Sequence, residues 1–283
     1  MNGGQIIRVP YRLSRPFVDP RVVHRQSDRC RRLESFPQAT DDHGAQVRLR
    51  ATRSGKILTV LRLFPSPTEA VTVAHAYGTK RPVTPSGRPW TWLCMVASID
   101  GSTVLDGASR GLSSDVDRLV LLTLRNVADM IIVGAGTVRA EGYGPPKKVG
   151  QRIGVVSHTG DVDPTLDLFT SGTGFLIIPE DAPPSRFETV RAGVGELDLN
   201  RAMAMLPDSP RLVQVEGGAT LNGALTALDL VDEINITTSP QIVGGKGSRA
   251  TKNAPDTARR FDLEQLCEDD GFLFSRYVRR RHD

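Results

Sequence analysis

Apolar residues along this chain come in short bursts rather than in one sustained period. From about Leu61 onward, runs such as "DMIIVG", "RIGVVS", "GFLIIP" and "RLVQVEGG" alternate with stretches whose apolar positions recur every three or four residues. Bursts of that length predict buried strands, and the longer spacing predicts helices laid over them. The clearest helix is "SSDVDRLVLLTLRNVA". Val116, Leu119, Val120, Thr123, Leu124 and Val127 fall on one face, Ser114 stands where an N-cap belongs, and Asp117 occupies the reciprocal capping-box position.

The same reading extends along the rest of the chain. "LRLFPSPTEAVTVAHAYG" predicts a short strand and then a helix, and "RPWTWLCMVASIDG" predicts a strand. Helices are expected from "PPSRFETVRAG" and from "ATLNGALTALDL", and "VDEINITTSPQIVGG" is strand-rich. The final pair, "RRFDLEQLCE" and "FLFSRYVR", meets at Asp270-Gly271 and predicts an antiparallel hairpin at one edge of the sheet. Strands alternating with helices imply an α/β fold, a mostly parallel central sheet covered by helices on both faces. One domain over residues 61–283 is the expectation.

Residues 1–60 have no such pattern. Prolines and arginines are scattered there without a core-forming period, which predicts a disordered or extraneous basic segment. An arginine-rich transit peptide and translation from a start codon placed too far upstream are the other readings of it. The charge changes the picture further. The net charge is +4, but residues 1–60 hold 12 Lys/Arg against 5 Asp/Glu, and the remainder holds 24 against 27. The body is slightly acidic, which argues against nucleic acid as a partner. No apolar run approaches the ~20 residues of a membrane span, and three distant cysteines suit a reducing compartment. A soluble, cytoplasmic protein is expected.

Two glycine clusters carry the candidate chemistry. "VGAGTVRAEG" follows a buried strand, but Arg139 stands where a dinucleotide fingerprint needs its third glycine. The turn still offers free backbone N–H groups at a helix start, a place suited to phosphate, and a plain tight turn fits the segment equally well. "LVQVEGGATLNGAL" repeats the arrangement. Gly217 and Gly218 permit close approach, Thr220 is placed to cap, and Gly223 leaves room beside the helix. Two such strand ends, if neighbours, would grip an elongated diphosphate cofactor between them. Glu216 closes an apolar strand, a costly place for a carboxylate unless something pairs with it.

"ASIDG", "SSDVDRLVLLTLRNVADMIIVGAGTVRAEG" and "VQVEGGATLNGAL" with "LVDEINITTSPQIVGG" together resemble the reductase domain of riboflavin biosynthesis. That domain forms the C-terminal half of a bifunctional deaminase–reductase and also occurs as stand-alone pyrimidine reductases. The resemblance covers about residues 90–280 and implies a dihydrofolate-reductase-like fold, NADPH as cofactor and a homodimer. The implied activity is reduction of the ribosyl group of 5-amino-6-(5-phosphoribosylamino)uracil to the ribitylamino product. By the same resemblance, NADPH would meet Val96, Gly134, Gly136, Thr137 and Glu141, the last where relatives usually have aspartate. Gly217, Gly218, Ala219 and Thr220 would hold it from the second turn, with Leu221, Asn222, Gly223 and Ala224 behind them. Ser157 and His158 would face its 2′-phosphate, or else are ordinary turn residues.

On the substrate side the resemblance assigns Ser109, Arg125 and Glu216. Glu216 would stabilise the cationic imine formed when the sugar ring opens. Asp100 suits either a catalytic role or a turn, and Arg125 suits either a substrate contact or the negative end of a helix. Departures are visible. Relatives carry lysine where Cys94 stands, and the loop "GYGPPKKVG" leaves Lys147 or Lys148 to supply a phosphate contact or to lie in solvent. No H-x-E or C-x-x-C occurs, so neither a zinc deaminase nor any metal is implied. A same-fold reductase of another heteroaromatic such as dihydrofolate, and a non-catalytic nucleotide-binding protein, are the alternatives.

Overall fold

The computed structural model describes residues 58–84, 87–256 and 258–280. The expected disorder of residues 1–60 lies, apart from Leu58 to Val60, outside the described residues. Strand β1 spans Thr59–Phe64, two residues ahead of the expected start, and Val60 is a core residue only 2% exposed.

After β1 come β2 (Glu69–Thr72), α1 (Val73–Tyr77), β3 (Trp90–Ser98), α2 (Asp115–Val127) and β4 (Met130–Gly134). Next are α3 (Ala135–Glu141), β5 (Arg152–Val156), α4 (Asp167–Thr170), β6 (Gly174–Ile178) and β7 (Thr189–Arg191). The chain ends with α5 (Leu199–Ala204), β8 (Leu212–Val215), α6 (Ala219–Ala227), β9 (Glu233–Ser239), β10 (Phe261–Asp269) and β11 (Phe272–Arg279). Among the described residues, all strands join one sheet in the order β2-β1-β10-β11-β9-β3-β8-β4-β5-β6-β7. From β9 to β7 the pairings are parallel, and from β2 to β9 they are antiparallel.

Alternation along the strands divides the core between the two faces. Trp92 packs with Val73, Ala76 and Tyr77 of α1 and with Val116, Val120 and Leu124 of α2, while Ile131, Val133, Ile153 and Val155 pack with α3 and α4. Leu93, Ile132, Val213 and Val215 face the other way, onto Met203 of α5 and Leu221 and Leu225 of α6. The mostly parallel sheet with helices on both faces is as expected.

Local chemistry explains the departures. Ser114 caps α2 by accepting from the Asp117 amide at 3.1 Å, but the Asp117 carboxylate accepts from the Ser113 hydroxyl at 2.5 Å instead of closing a capping box. "PPSRFETVRAG" forms no helix. Two prolines open it, β-branched Thr189 and Val190 extend it into β7, and Arg191 donates to the carbonyls of Glu180, Ala182 and Pro183. The helix arrives later as α5, whose cap Asp198 accepts from the Arg201 amide at 3.0 Å. The β10–β11 hairpin turns at Asp270-Gly271 as expected, yet it is not the edge. β1 pairs with β10 and β2 lies outside it. Among the described residues, no helix is long and apolar enough to cross a membrane.

Candidate active site

The two glycine-rich turns meet. β4 and β8 are adjacent and parallel, and their ladder continues past the end of β8: the Glu216 amide donates to Ile132 O at 3.0 Å and the Gly134 amide to Gly217 O at 2.7 Å. The contact is close enough to crowd any side chain added there. A Cβ on Gly134 would stand 3.1 Å from the Gly218 nitrogen, and one on Gly218 would stand 3.0 Å from Thr137 Oγ1. Gly217 has φ of +87°, a region that favours glycine, and the Gly217–Gly218 peptide is cis. Thr137 and Gly218 are therefore direct neighbours.

Helices α3 and α6 start from these turns, and neither Gly134 nor Gly218 supplies a side-chain cap. First-turn N–H groups of both helices are left for another acceptor. Gly218, rather than Thr220, is the cap residue of α6, so Thr220 lies inside the first turn, exposed. Leu221 and Ala224 turn their side chains into the core. Asn222 donates to Ala250 O at 2.9 Å, while its buried Oδ1 has no partner. Gly223 does leave room: a Cβ there would lie 2.5 Å from Lys252 O.

Most of the remaining expected residues have partners of their own. Val96 is buried on β3, next to Thr237 in register. Asp100 serves as a loop anchor, accepting from Ser98 Oγ and from the amides of Val243 (3.2 Å) and Gly244 (2.7 Å). The bond from Ser98, joined by those two amides, holds its carboxyl down at about 2. Glu141, at the end of α3, accepts from the Ser109 amide at 2.7 Å and so ties α3 to the loop that carries Ser109. Ser157 Oγ accepts from the Gly160 amide at 3.0 Å, a turn contact, and His158 beside it is exposed.

Glu216 has the partner its position demanded. Arg125 grips it through two bonds, Nε to Oε1 at 2.6 Å and Nη2 to Oε2 at 2.5 Å. Gln214 Nε2 donates to Oε1 at 2.7 Å, and the Tyr143 hydroxyl donates to Oε2 at 2.8 Å. The side chain is 4% exposed, that of Arg125 24%. Burial works against the Arg125 charge, but the bonds and the charge of Glu216 together raise its pKa. Burial, followed by the Glu216 charge, pushes the Tyr143 phenol well above its ordinary value, which keeps it a donor. The expected pairing of Glu216 is thus met by Arg125, with which it shares its charge. The alternative for Arg125, a helix-dipole partner alone, does not describe this geometry.

Cys94 stands on β3 beside this group, its thiol held protonated by burial and by the charges of Asp117 and Glu216. Lys148 donates to Ala128 O at 2.6 Å beyond the C-terminal end of α2, while Lys147 is exposed. Sequence reasoning missed Tyr143 and Gln214. The one available signal was an aromatic residue in the otherwise small-residue loop "EGYG".

The model of the RibD C-terminal domain family matches residues 89–271. The Methanothermobacter thermautotrophicus protein named 2,5-diamino-6-ribosylamino-4(3H)-pyrimidinone 5′-phosphate reductase is 28% identical over 181 residues, covering 57% of this chain and 82% of that one. The riboflavin biosynthesis protein RibD of Bacillus amyloliquefaciens is 27% identical over 196 residues, covering 60% of this chain and 53% of that longer relative. A solved structure of a pyrimidine reductase-like protein from Corynebacterium diphtheriae superposes with a TM-score of 0.65 at 25% identity, covering 75% of this chain and 100% of that one. The matched stretch carries both glycine turns and the Glu216–Arg125 pair, and the chain belongs to the RibD C-terminal domain family.

Proposed function

We propose that this chain is an NADPH-dependent reductase that converts the ribosyl group of 5-amino-6-(5-phosphoribosylamino)uracil to the ribityl group. The observation that carries the reading is the junction of Gly134, Thr137 and Gly218 beside the buried Glu216–Arg125 pair. The residues fit a pyridine dinucleotide. Uncapped first turns of α3 and α6 suit a diphosphate, a Cβ on Gly136 would meet nothing within 4 Å, and Asn222 Oδ1 awaits a donor. Bound there, the nicotinamide supplies the reducing equivalent. Ser157 has already spent an acceptor position on Gly160, so preference for the 2′-phosphate falls to its hydroxyl proton and to His158.

The protein's own part is orientation. Ser109 is fixed by Glu141, and Arg125 is fixed by Glu216, so two substrate-side groups are held before substrate arrives. Asp100 works at one remove by anchoring residues 243–244. A homodimer in the cytoplasm completes the proposal. Leu61, Glu268 and Leu273 lie side by side in register on one sheet face, with Leu61 39% and Leu273 37% exposed. Sedimentation velocity showing only monomer would remove that part.

A second substrate deserves equal testing, because the M. thermautotrophicus relative is named for the diaminopyrimidinone, the form before deamination. NADPH absorbance should be followed with the uracil, with the diaminopyrimidinone and with dihydrofolate. Oxidation with either ribosylaminopyrimidine and not with dihydrofolate is expected. Turnover of dihydrofolate alone would overturn the reading.

A further inference from the structure

We propose that Tyr143 is a positioning residue that locks the Glu216–Arg125 pair and presents the remaining Arg125 amino group, Nη1, to the substrate. The inference rests on the reductase reading above and adds a residue which that reading does not use.

The hydrogen-bond inventory leads to it. A carboxylate offers about four acceptor sites, and Glu216 receives four donors: Arg125 Nε and Gln214 Nε2 on Oε1, Arg125 Nη2 and Tyr143 OH on Oε2. Glu216 is saturated and has no site left for substrate. The Gln214 amide cannot be turned around, because its Oε1 accepts at 3.1 Å from Trp92 Nε1, which only donates. Arg125 spends Nε and Nη2 on Glu216, and Nη1 makes no hydrogen bond among the described residues. The free end of this buried assembly is therefore Nη1, a donor suited to a carbonyl or sugar oxygen.

Tyr143 fixes that end in two ways. Its hydroxyl completes Glu216, and its ring lies 5.5 Å from the Arg125 guanidinium, a cation–π contact. The segment that carries it is a strap, from Gly142 to Gln151, fastened independently at its other end. Lys148 Nζ donates to Ala128 O, and Gln151 Nε2 donates to both Arg125 O (2.7 Å) and Ala128 O (2.8 Å). Loss of the Tyr143 hydroxyl leaves those ties in place, so the strap stays and only the lock on Glu216 opens.

Tyr143→Phe keeps the ring and removes the bond. We expect kcat/KM for the ribosylaminopyrimidine to fall about tenfold, with KM for NADPH within about twofold of wild type. In an Arg125→Ala background the same change should add less than about twofold, because the tyrosine acts through the arginine. A direct readout needs no substrate: the Arg125 Nε–H resonance should exchange slowly in wild type and at least about fivefold faster in Tyr143→Phe. Unchanged exchange, undiminished kcat/KM, or additive losses in the double variant would overturn the proposal. If wild type reduces no ribosylaminopyrimidine, the substrate assignment falls by itself, and the exchange measurement still decides the lock.

Discussion

Glu216→Gln tests the pairing at the heart of the site. A carboxylate here takes four donors, but an amide of the same shape keeps only one acceptor oxygen, and its NH2 group would face two donors. One or two hydrogen bonds are lost, one of them always from Arg125, because the Tyr143 hydroxyl can turn to accept from an NH2 group placed at the Oε2 position. At about 1.5–3 kcal/mol for a bond to a charged partner, the loss would reach about 6 kcal/mol at most. Water reaches Arg125, whose side chain is 24% exposed, and offsets part of it. A destabilisation of about 2–4 kcal/mol is therefore expected. For a domain of this size each kcal/mol moves Tm by about 2–4 °C, so Tm should fall by roughly 4–16 °C. Differential scanning calorimetry gives that number, and an NADPH fluorescence titration with initial rates gives the functional half. Turnover should drop much more than NADPH affinity, because the carboxylate is spent on Arg125 and the tyrosine rather than on the glycine turns. A Tm within about 2 °C of wild type would refute the four-donor accounting, and equal losses of turnover and NADPH affinity would refute the assigned side of the site.

Two further outcomes follow from the same geometry. Gly136→Ala adds a Cβ that meets nothing within 4 Å, so Tm should be unchanged while NADPH binding weakens at least about tenfold; unaltered binding would move the cofactor away from α3. Asp100 has its carboxyl lowered from 3.8 to about 2, so its tie to residues 243–244 is fully present above the unfolded value and is lost as pH falls through about 2. Hydrogen exchange should show the Val243 and Gly244 amides equally protected from about neutral pH down to about pH 4 and released toward pH 2. In Asp100→Asn they should be less protected throughout.

Much of the fold was legible because strands buried on both faces announce themselves. "MIIVG", "RIGVV" and "GFLII" have no other use in a chain of this composition, and the spacing of Val116, Val120 and Leu124 marks a helix with one buried face. The failures have equally local causes. α4 and α5 are only four and six residues long, too short for a helical period to emerge. The stretch from Pro183 to Gly193 has helix-like spacing, but its backbone is held by Arg191, a contact that no local pattern records.

The sequence by itself determined the chemistry of the two turns. Paired glycines at two strand ends permit a close backbone approach, and a carboxylate ending an apolar strand demands a partner. The tertiary structure alone decided who the partners are. Parallel pairing of β4 with β8 brings residues 134 and 217 together across some eighty intervening positions. The strap then sets Tyr143 against a glutamate 73 residues away. Strand pairing is set by burial summed over the whole sheet, and hydrogen-bond saturation of a buried carboxylate is settled only when every neighbour is in place. Neither quantity is carried by any local window of sequence.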